Sequence, residues 1–153
     1  MLKQAFPPIA NQHSKILLLG TMPGEQSLKL QQYYGHKGNQ FWKIIFALFN
    51  QPLVHDYEVK KELLLSKGIA VWDVLQYCER IGSADSNIQK EVPNNFAAFY
   101  NQHPQVKQVF FTSTKARDYY DTYVKRKPAY NYHLLPSTSS ANTWKTFDEK
   151  LNE

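Results

Sequence analysis

The sequence predicts an α/β fold, a central parallel sheet of four strands with helices packed on both faces. Two observations carry that prediction. Four short runs rich in Ile, Leu, Val, Phe and Tyr, at Lys15–Leu19, Ile69–Trp72, Val106–Thr112 and Tyr130–Leu135, are bounded by turn-forming residues in the manner of buried strands. The segments between them carry helical spacing, and strands alternating with helices at this interval build parallel sheets. No repeat, linker or low-complexity tract divides the 153 residues, so the chain reads as a single domain spanning 1–153. A domain of that length buries about two thirds of its unfolded surface.

Taken in order, Met1–Ser14 holds Pro7 and Pro8 without periodicity and reads as an extended lead-in. Lys15–Leu19 is apolar on both faces, which suits a central strand covered by helices on each side. Asn39–Asn50 places Phe41, Trp42, Ile44, Ile45, Ala47, Leu48 and Phe49 around most of a helix, with Asn39 at its N-cap or first turn. Asp56–Ser66 is a second helix, closed by Lys67 and the C-cap residue Gly68, and it leads directly into the strand Ile69–Trp72. Asp73–Glu91 is too polar after Cys78 for core and reads as a loop with one or two short helical turns. Asn94 or Asn95 caps a helix through Phe96, Phe99 and Tyr100 that ends before Pro104. After the third strand, Thr114–Val124 reads as an amphipathic helix, and Asn142–Leu151 follows the fourth strand as the last.

Charge narrows the partner class. Lys and Arg number 18 against 13 Asp and Glu, a net charge of +5, so an anionic partner such as nucleic acid is favoured without being required. The single Cys78 excludes an internal disulfide, the chain lacks a cysteine cluster for zinc, and this usage fits a reducing cytoplasm. The first residues, MLKQAFPPIANQHSK, have no apolar core of signal-peptide length, and no run approaches a membrane span, so the expectation is a cytoplasmic protein that makes no membrane contact.

Two strand ends lead into chemistry-rich loops. The first, GTMPGEQSLKLQQYYGHKGNQFW from Gly20 to Trp42, sits between a buried strand and a helix, where open α/β sheets place their sites. It holds five backbone-special residues, Gly20, Pro23, Gly24, Gly35 and Gly38, far more than a simple corner requires. The second, LPSTSSANTW from Leu135 to Trp144, brings hydroxyls and backbone amides to a helix start, which suits a phosphate and equally suits ordinary capping.

The ordered pieces GTMPG, YYGHKGNQFWKII, GIAVWDVLQYCERIGSADSNI and LPSTSSAN resemble the uracil-DNA glycosylase superfamily, specifically its hypoxanthine (deoxyinosine) branch, with the mismatch-specific uracil glycosylases next. The resemblance spans roughly Pro7 to Trp144. It implies a three-layer α/β/α sandwich and a monomer that hydrolyses the N-glycosidic bond of a deaminated base in DNA, hypoxanthine first and uracil second, without metal or organic cofactor. The extruded base is then held by stacking and edge hydrogen bonds while water captures an oxocarbenium-like sugar.

Residue by residue, the resemblance makes Tyr34 the ring that stacks on the base, with a half-buried core tyrosine as the competing role. Thr21, Met22 and Gly24 line the pocket, largely through backbone, Gly24 permitting close approach. In mismatch-specific relatives the middle residue of GxxPG holds water, which Met22 cannot do. The hypoxanthine branch assigns that role to the Asn of GHxxN, here Asn39, whose alternative is a helix cap. His36 has a supporting role at most. Ser137, Thr138 and Ser139 match the loop that grips phosphates, without the histidine of classical uracil glycosylases, since His133 lies on the preceding strand. Where relatives carry an edge-reading Asn, this chain has Thr112, which cannot copy a bidentate amide and leaves the choice of base open. Arg80, in the CERIGSADS segment that Glu79, Asp85 and Ser86 help to order, is a candidate phosphate contact, whereas Lys125–Lys127 suits a solvated face. Two further classes remain open on the same residues: a base-binding module without turnover, motivated by Met22 and Thr112, and an unrelated protein that grips a small phosphorylated ligand.

Overall fold

The computed structural model describes residues 2–35 and 41–135. Within them the strands are β1 (Leu2–Gln4), β2 (Ile16–Gly20), β3 (Ile69–Asp73), β4 (Leu75–Glu79), β5 (Gln89–Pro93), β6 (Gln108–Phe111) and β7 (Asn131–Leu134). β2, β3, β6 and β7 form the expected parallel sheet in the order β3-β2-β6-β7, so the first apolar run is central. Every residue of β2 and β3 is buried, which is why these strands read as continuous apolar runs. The register sets Gly20 opposite Asp73 and Leu19 opposite both Trp72 and Phe111. Three strands therefore end at one level, and the order reverses across β2, which opens a crevice at their carboxyl ends.

The helices are α1 (Glu25–Leu30), α2 (Phe41–Leu48), α3 (Tyr57–Ser66), α4 (Phe96–Gln102) and α5 (Thr114–Tyr119). Side-chain caps fix several starts. Asp56 accepts from the Glu58 and Val59 amides, Asn95 from Ala98 and Ser113 from Ala116. α2 buries Phe41, Trp42, Ile45 and Phe46, fastening the far end of the first loop into the core. Among the described residues no helix is long and apolar enough to cross a bilayer.

Four local expectations are corrected. The polar segment Asp73–Glu91 is a hairpin rather than a loop, with a 3-10 turn at Asp85–Asn87 between β4 and β5, and the lead-in supplies β1 to complete an antiparallel sheet β1-β4-β5. Its periodicity was hidden because register shifts at Leu75/Tyr77 and Tyr77/Glu79 break the two-residue alternation and β5 exposes most of its side chains. α1 lies inside the glycine-rich first loop. Finally, the helix expected to run to Val124 ends at Tyr119 and continues as a π-helical turn, Tyr120–Val124. The expected last helix, Asn142–Leu151, lies outside the described residues.

That π turn carries Tyr120 into the core, where its hydroxyl lies 2.8 Å from that of Tyr100 and 3.0 Å from that of Tyr132. Burial is the main reason the Tyr120 hydroxyl resists ionisation. Tyr120→Phe strips Tyr100 of its hydroxyl partner and is expected to lower unfolding free energy by about 1–3 kcal/mol, with the urea midpoint falling at unchanged slope.

Candidate active site

The crevice holds a cavity of about 260 Å³ walled by the GTMPG turn, Tyr33 and Tyr34, the end of β3, the β4–β5 turn and the start of α5. That is near the lower end of small-molecule pockets, roughly 300–1,000 Å³, a scale suited to one heterocycle.

The aromatic wall is rigidly mounted. Tyr33 donates its amide to the Tyr57 hydroxyl (3.0 Å) and its own hydroxyl to the Pro7 carbonyl (2.9 Å), while the Trp42 indole N–H donates to the Tyr33 carbonyl (3.0 Å). Tyr34 follows at φ 54°, a left-handed conformation that non-glycine residues seldom adopt and that the anchored neighbour imposes. Its ring stacks on Phe41 with centroids 3.8 Å apart and planes 16° from parallel, and Tyr34 also lines the cavity. Burial, then the nearby Asp73, push the Tyr34 hydroxyl well above the usual tyrosine range, partly offset by a hydrogen bond with the Thr112 side chain. Tyr34 is therefore a neutral phenol at any working pH.

Thr21, Met22 and Gly24 come together in the same wall. Thr21 and Ser113 hydroxyls lie 3.1 Å apart, linking the ends of β2 and β6. Met22 is buried, and the Gly24 backbone passes so close to Ser83 that a β-carbon would sit 3.3 Å from its Oγ. Thr112 also lines the cavity, but its hydroxyl donates to the Leu19 carbonyl at 3.0 Å, which leaves it only acceptor capacity toward a ligand.

Arg80 departs from expectation. Its side chain has no exposed surface, and the guanidinium donates to the Gly82 carbonyl (3.1 Å), to Asp85 Oδ1 (3.3 Å) and to the Pro23 carbonyl. Buried in this way, the guanidinium is not presented to a phosphate. Arg80 instead ties the GTMPG turn to the β4–β5 turn, and Asp85 orders it as the sequence suggests. Asn39, Ser137, Thr138 and Ser139 lie outside the described residues, as does His36. His133 stacks on Phe110 and hydrogen-bonds Gln108 at 2.9 Å, within the sheet.

The residue that sequence reading missed is Asp73. It is the last residue of β3, buried, and a wall of the cavity. A β-carbon at Gly20 would stand 2.6 Å from its Oδ1, so only glycine leaves room for the carboxyl. Its Oδ2 is buried without a hydrogen-bond partner among the described residues. Burial, reinforced by Asp85 and opposed by Arg80, pushes its pKa up to about 7. An acidic residue closing the otherwise apolar run Ile69–Trp72 is the available signal.

The sequence model of the uracil DNA glycosylase superfamily matches residues 7–153. The chain belongs to that superfamily. Among curated proteins it is 35% identical over 143 residues to a hypoxanthine DNA glycosylase of Methanosarcina barkeri (strain Fusaro / DSM 804), covering 93% of this chain and 89% of the relative. A hypoxanthine DNA glycosylase of Methanosarcina acetivorans matches over the same extent at 35% identity. Among solved structures, the solution NMR structure of a uracil DNA glycosylase candidate from Methanosarcina acetivorans aligns with a TM-score of 0.79 at 32% identity, covering 99% of this chain and 94% of that one. Within the superfamily the chain thus groups with the hypoxanthine branch, and the structural match gives its parallel sheet the uracil-DNA glycosylase-like fold.

Two outcomes are expected for stability. Arg80→Met leaves Asp85 and two carbonyls without their donor and lowers unfolding free energy by about 2–3 kcal/mol in urea titrations. Asp73 holds its proton in the folded state up to about pH 7, whereas the unfolded carboxyl, with a pKa of about 3.9, releases it earlier. Its contribution to stability is therefore full below about pH 4 and declines as pH rises to about 7. In Asp73→Asn, the drop in melting temperature between about pH 5 and pH 8 becomes smaller than in the wild type.

Proposed function

We propose that this chain is a monofunctional DNA glycosylase that hydrolyses the N-glycosidic bond of hypoxanthine in DNA, with uracil as a second substrate. The observation that carries this reading is a base-sized cavity at the strand ends, walled by Tyr34 and the GTMPG turn, in a chain 35% identical over 93% of its length to hypoxanthine DNA glycosylases. The duplex releases the damaged base into the cavity, where Tyr34 stacks on it. Asn39, in the segment between Tyr34 and its stacking partner Phe41, positions the attacking water through its amide. As the bond to the sugar breaks, positive charge grows on the deoxyribose and negative charge on the base, so fixed dipoles are what the site must supply. Ser137, Thr138 and Ser139 grip the flanking phosphates, and surface lysines and arginines add affinity that reads no sequence.

Buried Met22, at the position where mismatch-specific relatives hold water, favours a second reading, a base-binding module without turnover. Abasic-site formation on duplexes containing deoxyinosine, deoxyuridine or normal bases separates the two. The expected outcome is cleavage at inosine, reduced at least about tenfold in Asn39→Ala, roughly 1.4 kcal/mol of transition-state stabilisation. Tyr34→Ala is expected to weaken kcat/KM by about 1–3 kcal/mol, the worth of one stacked base. DNA binding by the wild type with no abasic product from any lesion would establish the binding module instead.

A further inference from the structure

The positive charge of this protein is not gathered around the cavity. Among the described residues the cavity lining includes Glu25, Asp73 and Asp85 and no lysine or arginine. Charge collects instead at the opposite end of the parallel sheet, where the strands begin. The segments that enter β3, β2, β6 and β7, residues 66–68, 12–15, 103–107 and 125–130, hold six of the 18 Lys and Arg residues and not one Asp or Glu. Backbone hydrogen bonds set these entries side by side. The Lys15 amide donates to the Gly68 carbonyl (2.8 Å), that of Lys107 to the Lys15 carbonyl (3.2 Å) and that of Asn131 to the Lys107 carbonyl (2.9 Å). Lys67, Lys15 and Lys107 therefore stand on successive strand entries, with Lys125, Arg126 and Lys127 on the next, and all six are exposed. Arg126 is paired with Asp121 at 2.8 Å, whereas the five lysines have no ion pair among the described residues. Lys67 and Lys107 lie over the rings of Phe49 and Tyr130, contacts that leave their charge in place.

We propose that the amino ends of the parallel strands form a second nucleic-acid surface, which binds the phosphates of one DNA segment while the cavity end holds another. The proposal goes beyond the glycosylase reading above and rests on it only for the choice of DNA as partner. The chemistry of the face fits a phosphate backbone. None of the exposed large apolar side chains lies in these four segments, so the face lacks the anchors that a protein interface or a membrane-inserting surface uses, while sequence-independent phosphate binding needs cations alone. Neighbouring strands are about 4.8 Å apart, so the row spans about 15 Å, the run of about four phosphates on one strand. The two surfaces face opposite ways across strands of four or five residues, about 13–17 Å, and one straight duplex does not reach both. Holding two segments at once lets the protein pass from one to the other without release into solvent.

The test uses two short duplexes of normal sequence, one labelled with a donor fluorophore and one with an acceptor, mixed with the wild type or with Lys15→Gln/Lys107→Gln/Lys127→Gln. At about 50 mM salt the wild type should bring the duplexes together and produce energy transfer, and the variant should bind the second duplex at least about tenfold more weakly, with a log–log salt slope shallower by about 2–3. The rate at which the wild type leaves a labelled duplex should rise with the concentration of unlabelled duplex, and in the variant it should not. Single-turnover abasic-site formation on a saturating deoxyinosine duplex should stay within about twofold of wild type, which also reports that the variant is folded. A second variant, Lys67→Gln/Lys125→Gln, takes charge from the same face at other positions and should weaken bridging in the same direction. Absence of energy transfer with the wild type would overturn the proposal, as would bridging that both variants retain. Phosphatidylserine-containing vesicles captured by the wild type but not the variants, without duplex bridging, would give the face to a membrane and overturn it too. Lysine-dependent bridging with no abasic product from any lesion would retire the glycosylase reading and leave the second surface standing.

Discussion

One buried guanidinium holds the active end of this protein together. The ends of β2, β3 and β6 are fixed by the sheet, and the turns beyond them anchor to the core through Met22 and Ile88. Arg80 fastens the GTMPG turn to the β4–β5 turn through Pro23, Gly82 and Asp85, tying together two polar walls of the cavity. A buried charge of this kind is tolerable only when its donors are satisfied, and the satisfied donors are what specify the loop geometry. The aromatic wall is held separately, by Tyr33 pinned between Pro7, Tyr57 and Trp42. A cavity made from several loops is thereby braced from two sides.

The electrostatics of the cavity follow from the same packing. Asp85 is engaged by Arg80 and keeps partial solvent access, whereas Asp73, at the end of β3 opposite Gly20, is buried. Burial raises both carboxyls above the usual carboxylate range, Asp85 against the pull of its Thr21 hydrogen bond and Arg80, and Asp73 up to about 7. The result is a nearly neutral recess within a chain of net charge +5, suited to a flat, uncharged heterocycle whose flanking backbone is strongly anionic.

The parallel sheet was legible because burial on both faces writes itself as uninterrupted apolar runs, and the central position of the first run follows directly. Helix starts at Asp56 and Asn95 were legible because caps are local chemistry. The antiparallel flank was not, since bulges in β4 and the exposed face of β5 erase the period that marks a strand. At the site, Thr21, Met22, Gly24, Tyr34 and Thr112 do converge on one cavity, while Arg80 was misread because its charge is evident in sequence and its burial is not. Asp73 escaped notice for a related reason. Its character depends on Gly20, 53 positions earlier in the chain, and on Asp85 and Arg80 in a hairpin that had been read as a loop.

The absence of a β-carbon at residue 20 has an evolutionary corollary. Positions 20 and 73 share one volume, so neither drifts freely: a descendant that acquired alanine at 20 would first need a shorter side chain at 73. Glycine here acts as a lock on the identity of its neighbour. A lineage that changes one of these two positions is therefore expected to change the other with it.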